Sequence, residues 1–377
     1  MNRASRRNEG KIHLGLIYAA DDTLKSATCQ LQGALTFLPL LRRWLGKSVD
    51  AMPISTPFTY LVAADSLFTP AQLARHYARL ASIAEQLQAE HPDWHYLGRR
   101  LGDLARPLER DEIVQWFDPE HVQAAFQTEE LAIDTDALAD IIIHALRNDP
   151  QITFKGGHQV QDIARKGNGF VVSGITEGEP FTLEADTVVN ATWENRFALD
   201  QTVGLTHRPG WLHRLKYRVI AKLPESLVTA PSATMVLGPY GDVVIRPDHT
   251  AYLSWYPLGL RGWTQSLAPP ADWDAPCRGD VGPEEEEFAK AVVQAISEWF
   301  PLILQAQPER IDAGAIVAYG ATDVDDPSSR LHDRTEIGVT HQDGFFSVDS
   351  GKLTTAPWFG KQAAEAVAEH LKLRKTA

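Results

Sequence analysis

Residues 343–357, DGFFSVDSGKLTTAP, restrict the possible folds of this chain more than any other segment. The apolar run 345–348 predicts a strand, and residues 357–373 predict a terminal helix with two threonines as its cap and a proline in its first turn. Gly351 stands between them, where a flat ligand can approach the backbone closely. The free N–H groups of the helix start favour a ligand group that gathers negative charge. An ordinary capped terminal helix explains these residues equally well.

The middle of the chain has a different pattern. Short runs that alternate polar and apolar residues cover 216–222, 234–237, 242–245 and 251–255. A period of two indicates strands with one buried face, and closely spaced strands of this kind predict an antiparallel sheet.

The remaining segments mix both element types. Predicted helices cover residues 24–44, 70–92, 134–147 and 284–304, and further predicted strands cover 58–62, 151–154, 160–163, 170–175, 187–190 and 310–319. Residues 11–19 are predicted to form a strand or an extended segment. The order helix, strand, hairpin, strand from residue 134 to 190 is typical of the outer part of a nucleotide-binding α/β sheet. The fold class is therefore mixed α/β (α+β).

Composition excludes several functions. The net charge of -13 argues against a nucleic-acid partner, because phosphate binding requires clustered Lys and Arg. The two cysteines, Cys29 and Cys277, form no Cys-x-x-Cys pair, so we expect no disulfide framework, no metal site and a reducing, cytoplasmic compartment. No apolar run approaches the roughly 18 residues of a membrane span, and the N-terminus lacks the apolar core of a secretory signal.

Two more segments complete a pattern with residues 351–357. They are 5–13, SRRNEGKIH, and 185–193, ADTVVNATW. In order and spacing the three blocks resemble FAD-dependent oxidoreductases of the D-amino-acid oxidase and glycine oxidase-like family. The resemblance covers nearly the whole chain.

The resemblance implies a discontinuous fold. An incomplete Rossmann-like FAD-binding domain would comprise residues 1–48, 131–205 and 325–377, interleaved with an antiparallel-sheet substrate domain at 49–130 and 206–324. The domain is incomplete because the family's Gly-x-Gly-x-x-Gly turn, which holds the FAD pyrophosphate, is absent from the sequence. A βαβ unit takes about 30 residues, so we expect that the chain is N-terminally truncated or has lost this unit. Exposed sheet edges would then favour a homo-oligomer, aggregation or a complementing chain.

The resemblance also implies which residues form the site. The residues expected to contact FAD are Asn8, Gly10, Lys11, Ile12, Val160, Asn190, Ala191, Thr192, Gly351, Lys352, Leu353 and Thr354. The catalytic candidates are His13, Lys11 and Arg246, with a structural role as the alternative for His13. Amino-acid oxidising members of the family carry an Arg in the strand before the last block, whereas residues 316–320 contain none. Arg246 is the candidate replacement, since Arg binds carboxylate in a bidentate fork.

The function implied is the oxidation of a small amine, amino acid or hydroxy acid by hydride transfer to flavin N5. The partner would be a small-molecule substrate. The alternative is a non-catalytic remnant or partner subunit of the same fold that no longer binds FAD.

Overall fold

The computed structural model describes residues 3–320 and 334–376, with side chains to residue 372. The predicted domain boundary at 324 and 325 lies outside these residues. In chain order the strands are β1 (Lys11–Ile12), β2 (Phe58–Val62), β3 (Ala105–Pro107), β4 (Ala124–Thr128), β5 (Leu131–Ala132), β6 (His158–Lys166), β7 (Gly169–Thr176), β8 (Glu179–Ala185), β9 (Val188–Asn190), β10 (Trp211–Lys222), β11 (Ser232–Val236), β12 (Gly241–Ile245), β13 (Thr250–Trp255), β14 (Leu260–Thr264), β15 (Gln307–Tyr319), β16 (Gly338–Gln342) and β17 (Phe345–Asp349). The helices are α1 (Lys25–Leu45), α2 (Pro70–Glu90), α3 (Arg110–Ile113), α4 (Thr135–Asn148), α5 (Arg196–Thr202), α6 (Tyr256–Gly259), α7 (Asp274–Arg278), α8 (Glu285–Ser297) and α9 (Ala356–Thr376).

The predicted antiparallel sheet is confirmed and is larger than expected. Its strand order is β14-β10-β13-β12-β11-β2-β4-β3, and β15 also pairs with β10. Only the β11–β2 contact among these is parallel. The β10–β15 register places Lys216 opposite Gly314 and Arg218 opposite Asp312. This register decides which side chains face the cavities described below.

Three smaller sheets accompany it. In the order β16-β17-β9, β17 runs parallel to β9 and antiparallel to β16. The strands β6, β7 and β8 form a meander, and β1 pairs with β5. Helices α1 and α9 pack against each other, and Gly33 lies against Thr355 at that contact. These pieces form a mixed α/β fold, as predicted.

Local signals explain the helix ends. Thr69 accepts a hydrogen bond from the N–H of Gln72, whose side chain accepts one from the N–H of Thr69, and Pro70 occupies the first turn of α2. Asp134 caps α4 through a single side-chain bond, which its carboxylate accepts from the N–H of Ala137. Both helices bury one apolar face.

Some predicted elements differ from the structure. The strand predicted at 11–19 ends at Ile12, because the chain turns where Tyr18 N–H donates to Gly15 O. The strand predicted at 151–154 was wrong; Ile152 N–H closes a turn to Asp149 O, and its side chain is exposed. The helix predicted at 284–304 ends at Ser297, and a separate 3-10 helix, Pro301–Gln305, follows because proline cannot continue an α-helix.

Along the described parts of the chain, no helix is both long and apolar enough to cross a membrane.

Candidate active site

A cavity of about 550 Å³ opens beside the large sheet. Its walls are the N-terminal segment before β1, the facing residues of β10 and β15, and the start of α9. The lining residues used below are Asn8, Glu9, Lys11, His13, Ala191, Lys216, Arg218, Gly314, Ile316, Gly351, Lys352 and Leu353. The volume lies within the ~300–1,000 Å³ typical of small-molecule sites.

A second cavity of about 100 Å³ adjoins the first. It extends over β11 and β12 towards Tyr240 and Tyr256. Six residues line both cavities: Glu9, Lys11, His13, Lys216, Ile316 and Lys352. The shared rim is therefore rich in charge, and it joins a large space to one that fits only a few heavy atoms.

The start of α9 is tied to β1 through Thr354. The Thr354 hydroxyl accepts from the N–H of His13 at 2.9 Å and donates to Lys11 O at 3.3 Å. The Thr355 hydroxyl donates to Ser350 O. Neither threonine caps the helix as the sequence predicted, since both hydroxyls donate to carbonyls. These bonds instead bring the first and last blocks of the sequence together.

Lys352 lies at this junction and faces both cavities. Burial lowers the pKa of Lys352, and Glu9 opposes that effect. Among the described residues, Lys352 has no carboxylate within ion-pair distance, whereas Lys11 on the same rim is paired with Asp242. An unpaired ammonium beside a helix N-terminus fits the pyrimidine edge of a flavin ring, where negative charge gathers on reduction. The mostly apolar wall and the volume of the larger cavity also fit that ring.

Lys11 is neutralised within the protein. Its ammonium donates to Asp242 at 2.8 Å and to Thr234 at 2.5 Å, and it lies 4.3 Å from the centre of the Phe58 ring. Burial raises the pKa of Asp242, but the ammonium groups of Lys11 and Lys216 outweigh it and hold the pKa below its usual value. Lys11 therefore joins β1 to β11 and β12.

His13 lies between two carboxylates. Its Nε2 is 3.5 Å from Glu9 Oε1, and its Nδ1 is 3.6 Å from Glu130 Oε1. Burial raises the pKa of Glu9, but the His13 ring and the nearby lysine ammonium groups outweigh it, so that this pKa lies well below its usual range. The ring thus lies between Glu9 at the rim and Glu130 behind it.

Glu130 is fully buried and well supplied with donors. It accepts from the N–H of Leu14 at 2.7 Å and from the Tyr60 hydroxyl. Burial raises its pKa, but the His13 ring, Lys11 and the Tyr60 hydroxyl together hold the pKa of Glu130 below its ordinary value of 4.5.

This environment predicts the acid response of the fold. Because the folded pKa lies below 4.5, ionised Glu130 stabilises the protein fully above that pH, and the contribution is lost as pH falls through the folded value. Glu130→Gln should cost about 1.5–3 kcal/mol at neutral pH and should lose less further stability on acidification than the unmodified chain. Urea denaturation at a series of pH values tests this. Glu129→Gln, at a surface pair with Arg99, is the control and should keep the original acid slope.

The structure brings several predicted residues together and leaves others apart. Those that line the larger cavity are Asn8, Lys11, His13, Ala191, Gly351, Lys352 and Leu353. Those outside the lining of both cavities are Gly10, Ile12, Val160, Asn190, Thr192, Thr354 and Arg246. Val160 lies in the meander, and Arg246 is buried just beyond β12. Gly10 packs against Ile133 O instead of facing the cavity.

Sequence reasoning missed Glu9, Lys216 and Arg218, which all line the larger cavity. The sequence did contain a signal for Lys216 and Arg218. Lys216 and Arg218 occupy alternate positions of the predicted strand 216–222, and Arg214 continues the alternation in β10, so that the three side chains share a face. All three are buried, so that the face does not point to solvent.

Within residues 3–320 and 334–376, no group of three His, Cys, Asp or Glu side chains is placed to hold a metal ion.

Comparison with known proteins adds to this geometry. A family model described as FAD dependent oxidoreductase matches residues 2–366. No curated protein matches the chain. One similar solved structure is glycine oxidase from Geobacillus kaustophilus, with 14% identity, a TM-score of 0.68, and an alignment that covers 97% of this chain and 85% of that one. Iminodiacetate oxidase from Chelativorans sp. BNC1 has 13% identity and a TM-score of 0.65, over 98% of this chain and 86% of that one. L-alpha-glycerophosphate oxidase from Mycoplasma pneumoniae with FAD bound has 16% identity and a TM-score of 0.62, over 97% of this chain and 85% of that one. At these identities the structural likenesses show the fold.

Proposed function

The chain belongs to the family of FAD-dependent oxidoreductases, and from this premise we propose that it oxidises a small amine, amino acid or hydroxy acid. FAD, when bound, supplies the flavin N5 atom that accepts a hydride from the substrate carbon. The protein supplies binding, orientation and the handling of protons. The neighbouring structures named above act on substrates of this size, which supports the proposal without identifying the substrate.

The observation that carries the proposal is the pair of adjoining cavities with a shared rim. The larger fits the flavin ring and the smaller fits a substrate of a few heavy atoms. A substrate in the smaller cavity would meet the ring at the rim. The ordering of both reactants at one place is a large part of catalysis.

Lys352 is proposed to hold the pyrimidine edge of the ring together with the first N–H groups of the final helix. Its ammonium is well suited to negative charge that develops there, because it has no carboxylate partner among the described residues. Gly351, Leu353 and Ala191 would line the ring. Lys11 is proposed to act indirectly, since its charge is already matched by Asp242.

His13 is proposed as the proton acceptor for the amine or hydroxyl of the substrate. Its Nε2 lies 3.5 Å from Glu9, and its Nδ1 lies 3.6 Å from Glu130. Two carboxylates stabilise the imidazolium that forms when Nε2 takes a proton. The Thr354 bond to the N–H of His13 fixes the backbone that carries the ring.

Two measurements test the proposed function in turn. The purified chain is mixed with FAD, desalted and examined by visible absorption. Retained flavin is then exposed anaerobically to a panel of small amines, amino acids and hydroxy acids. We expect that the chain retains flavin and that one class of these compounds bleaches the flavin absorption. Absence of retained flavin would favour the alternative, a non-catalytic protein of the same fold.

A His13→Gln variant should retain flavin and reduce it more slowly by a factor of about 10²–10⁴, the usual contribution of general base catalysis. Stopped-flow measurement of anaerobic flavin reduction gives this rate. His144→Gln, on the exposed face of α4, is the matched control and should behave as the unmodified chain. An unchanged rate in His13→Gln would assign His13 a structural role.

A cytoplasmic location remains part of the proposal. Cys29 and Cys277 are both free thiols, and burial raises the pKa of Cys29 to about 11. Unpaired, unreactive thiols fit a reducing compartment.

A further inference from the structure

We propose that Arg196, the first residue of α5, is a positioning residue for the oxidation and that it acts through Asp349. The pair fixes the Gly351 backbone and Lys352 at the edge of the flavin ring. It thereby sets the affinity and the reduction potential of the bound flavin without touching the ring. This inference rests on the proposed function and adds to it residues that line neither cavity.

The polar residues concerned lie behind the cavity wall, on the strands that form it. Successive side chains of a strand point to opposite faces. The residues at the ends of β9 and β17 that line the larger cavity are Val189, Ala191, Val348 and Ser350. The polar residues that alternate with them and line neither cavity are Asn190, Ser347 and Asp349. The reverse side of the wall is therefore polar, and it is largely buried.

Asp349 connects Arg196 to the loop at the cavity. Its Oδ2 accepts from Arg196 Nη2 at 2.8 Å, and its Oδ1 accepts from the N–H of Gly351 at 3.0 Å. Gly351 has φ +63°, a left-handed conformation that glycine adopts without steric cost. One carboxylate thus fixes this turn and, one residue further on, the backbone that carries Lys352.

Arg196 is itself held from behind. Its side chain is only 6% exposed, and its Nη1 lies 3.5 Å from both Asp200 Oδ2 and Ser347 Oγ. Its Cζ lies 4.4 Å from the centre of the Phe197 ring. Because the guanidinium fork is planar and rigid, the contacts of Nη1 fix the direction in which Nη2 meets Asp349.

Asp200 anchors this arrangement. It is fully buried and accepts from the Ser347 hydroxyl at 2.5 Å and from Asn190 Nδ2 at 2.7 Å. His207 Nε2 lies 2.7 Å from Asp200 Oδ2. A buried network whose members all have partners is rigid, so that Arg196 is held in one orientation.

The same network reaches a second part of the cavity wall. Asn190 Nδ2 also donates to Arg196 O at 3.0 Å, and Asn190 Oδ1 accepts from the Thr192 hydroxyl at 2.7 Å. The sequence predicts FAD contacts for Asn190 and Thr192, yet both line neither cavity. Their bonds instead fix Ala191, which stands between them and does line the larger cavity.

The effect on the flavin follows from the charge of Lys352. A positive charge at the pyrimidine edge favours the reduced ring, where negative charge gathers. Without Arg196, the carboxylates of Asp200 and Asp349 would have no cation between them, and their repulsion would turn Asp349 away from Gly351. Displacement of the loop would carry Lys352 with it, which would lower the reduction potential and weaken flavin binding.

The test uses the full chain with FAD bound and three variants, Arg196→Met, Asp349→Asn and the double variant. Titration with FAD gives the affinity, and equilibration with a redox dye gives the reduction potential. Each single variant should bind flavin about 10–100-fold more weakly, the usual effect of losing a hydrogen bond to a charged group. Its potential should fall by about 30 mV, which is a tenfold loss of preference for the reduced form. Because Arg196 acts through Asp349, the double variant should resemble the single variants.

Arg165→Met is the matched control. Arg165 of β6 also ties two elements together, since it donates to Gln342 O and Asp343 O at 3.2 Å, but it lines neither cavity. It should leave flavin affinity and potential unchanged. Additive effects in the double variant, or an Arg196→Met variant that loses only stability, would overturn the proposal. If Arg196→Met does not fold, the potential of Asp349→Asn decides, because asparagine keeps the shape of the carboxylate.

Hydrogen exchange separates this proposal from the proposed function. In the flavin-free chain, the Gly351 N–H should exchange about tenfold faster in Arg196→Met and in Asp349→Asn, because its bond to residue 349 is weakened. Unchanged exchange at Gly351 would contradict the proposal even where flavin is bound. If the unmodified chain retains no flavin, the proposed function fails, and the exchange rate still shows whether Arg196 holds the loop.

Discussion

Asp312→Asn is expected to destabilise the fold by about 3–5 kcal/mol, the usual cost of leaving buried charge uncompensated. Asp312 is fully buried between three arginines. Its Oδ1 accepts from Arg218 Nε at 2.5 Å, and its Oδ2 lies 3.1 Å from Arg7 Nη1 and 3.2 Å from Arg310 Nε. Asparagine has nearly the same shape but no charge, so that the buried Arg218 would lose its counter-ion.

The same substitution should weaken flavin retention. Arg218 also donates to Asn8 O at 3.1 Å, and both Arg7 and Arg218 line the larger cavity. The carboxylate of Asp312 thus holds the N-terminal segment against β10. Loss of the charge would loosen that wall.

Urea denaturation at neutral pH measures the effect of Asp312→Asn. Arg310→Gln provides the control, because the Arg310 side chain is 44% exposed and its pairing with Asp312 should contribute at most about 1 kcal/mol. If the two variants lose similar, small amounts of unfolding free energy, the buried arginines around Asp312 tolerate an unmatched charge, and Asp312 does not hold them together.

Gly10→Ala is expected to cost about 2–5 kcal/mol, from a left-handed backbone and an overpacked contact together. Gly10 has φ +77°, and a Cβ at this position would meet Ile133 O at 2.0 Å. The obstacle is backbone, and Ile133 N–H donates to Gly10 O at 2.9 Å, so that neither partner can move independently. Displacement of Gly10 would also shift the neighbouring Lys11 and the rim.

Gly46→Ala isolates the contribution of the backbone angle. Gly46 has a similar φ of +68° but open space around its added Cβ, so that its cost should be only about 1–2 kcal/mol. Thermal and urea unfolding measure how much each variant is destabilised. The difference between the two costs gives the contribution of the clash with Ile133. Equal costs would mean that the chain near Gly10 adjusts freely.

Much of the fold was predictable from local pattern. The helices α2 and α4 carry caps and one apolar face, and β2 and β12 appear in the structure close to their predicted bounds. Errors fell where no local signal exists. A short apolar run such as 151–154 becomes a strand only if a partner is available, and the meander strand β8 was missed because its residues are mostly exposed.

The site was predicted in part for the same reason. Residues that adjoin one another in a block, such as Gly351, Lys352 and Leu353, were named together because the block itself is recognisable. Lys216 and Glu9 were missed because their importance depends on what surrounds them. A lysine in a strand is ordinary until its face proves to be buried beside a cavity.

By itself the sequence determined the class of fold, the family and the blocks that meet at the cavity, since capping, periodicity and turn residues act over a few positions. Only the tertiary structure decided which charges are matched. Lys11 finds Asp242 and Arg218 finds Asp312 across the sheets, whereas Lys216 finds no carboxylate among the described residues. Coulomb energy depends on distance in space and on burial, and both depend on strand register, which distant parts of the chain decide together.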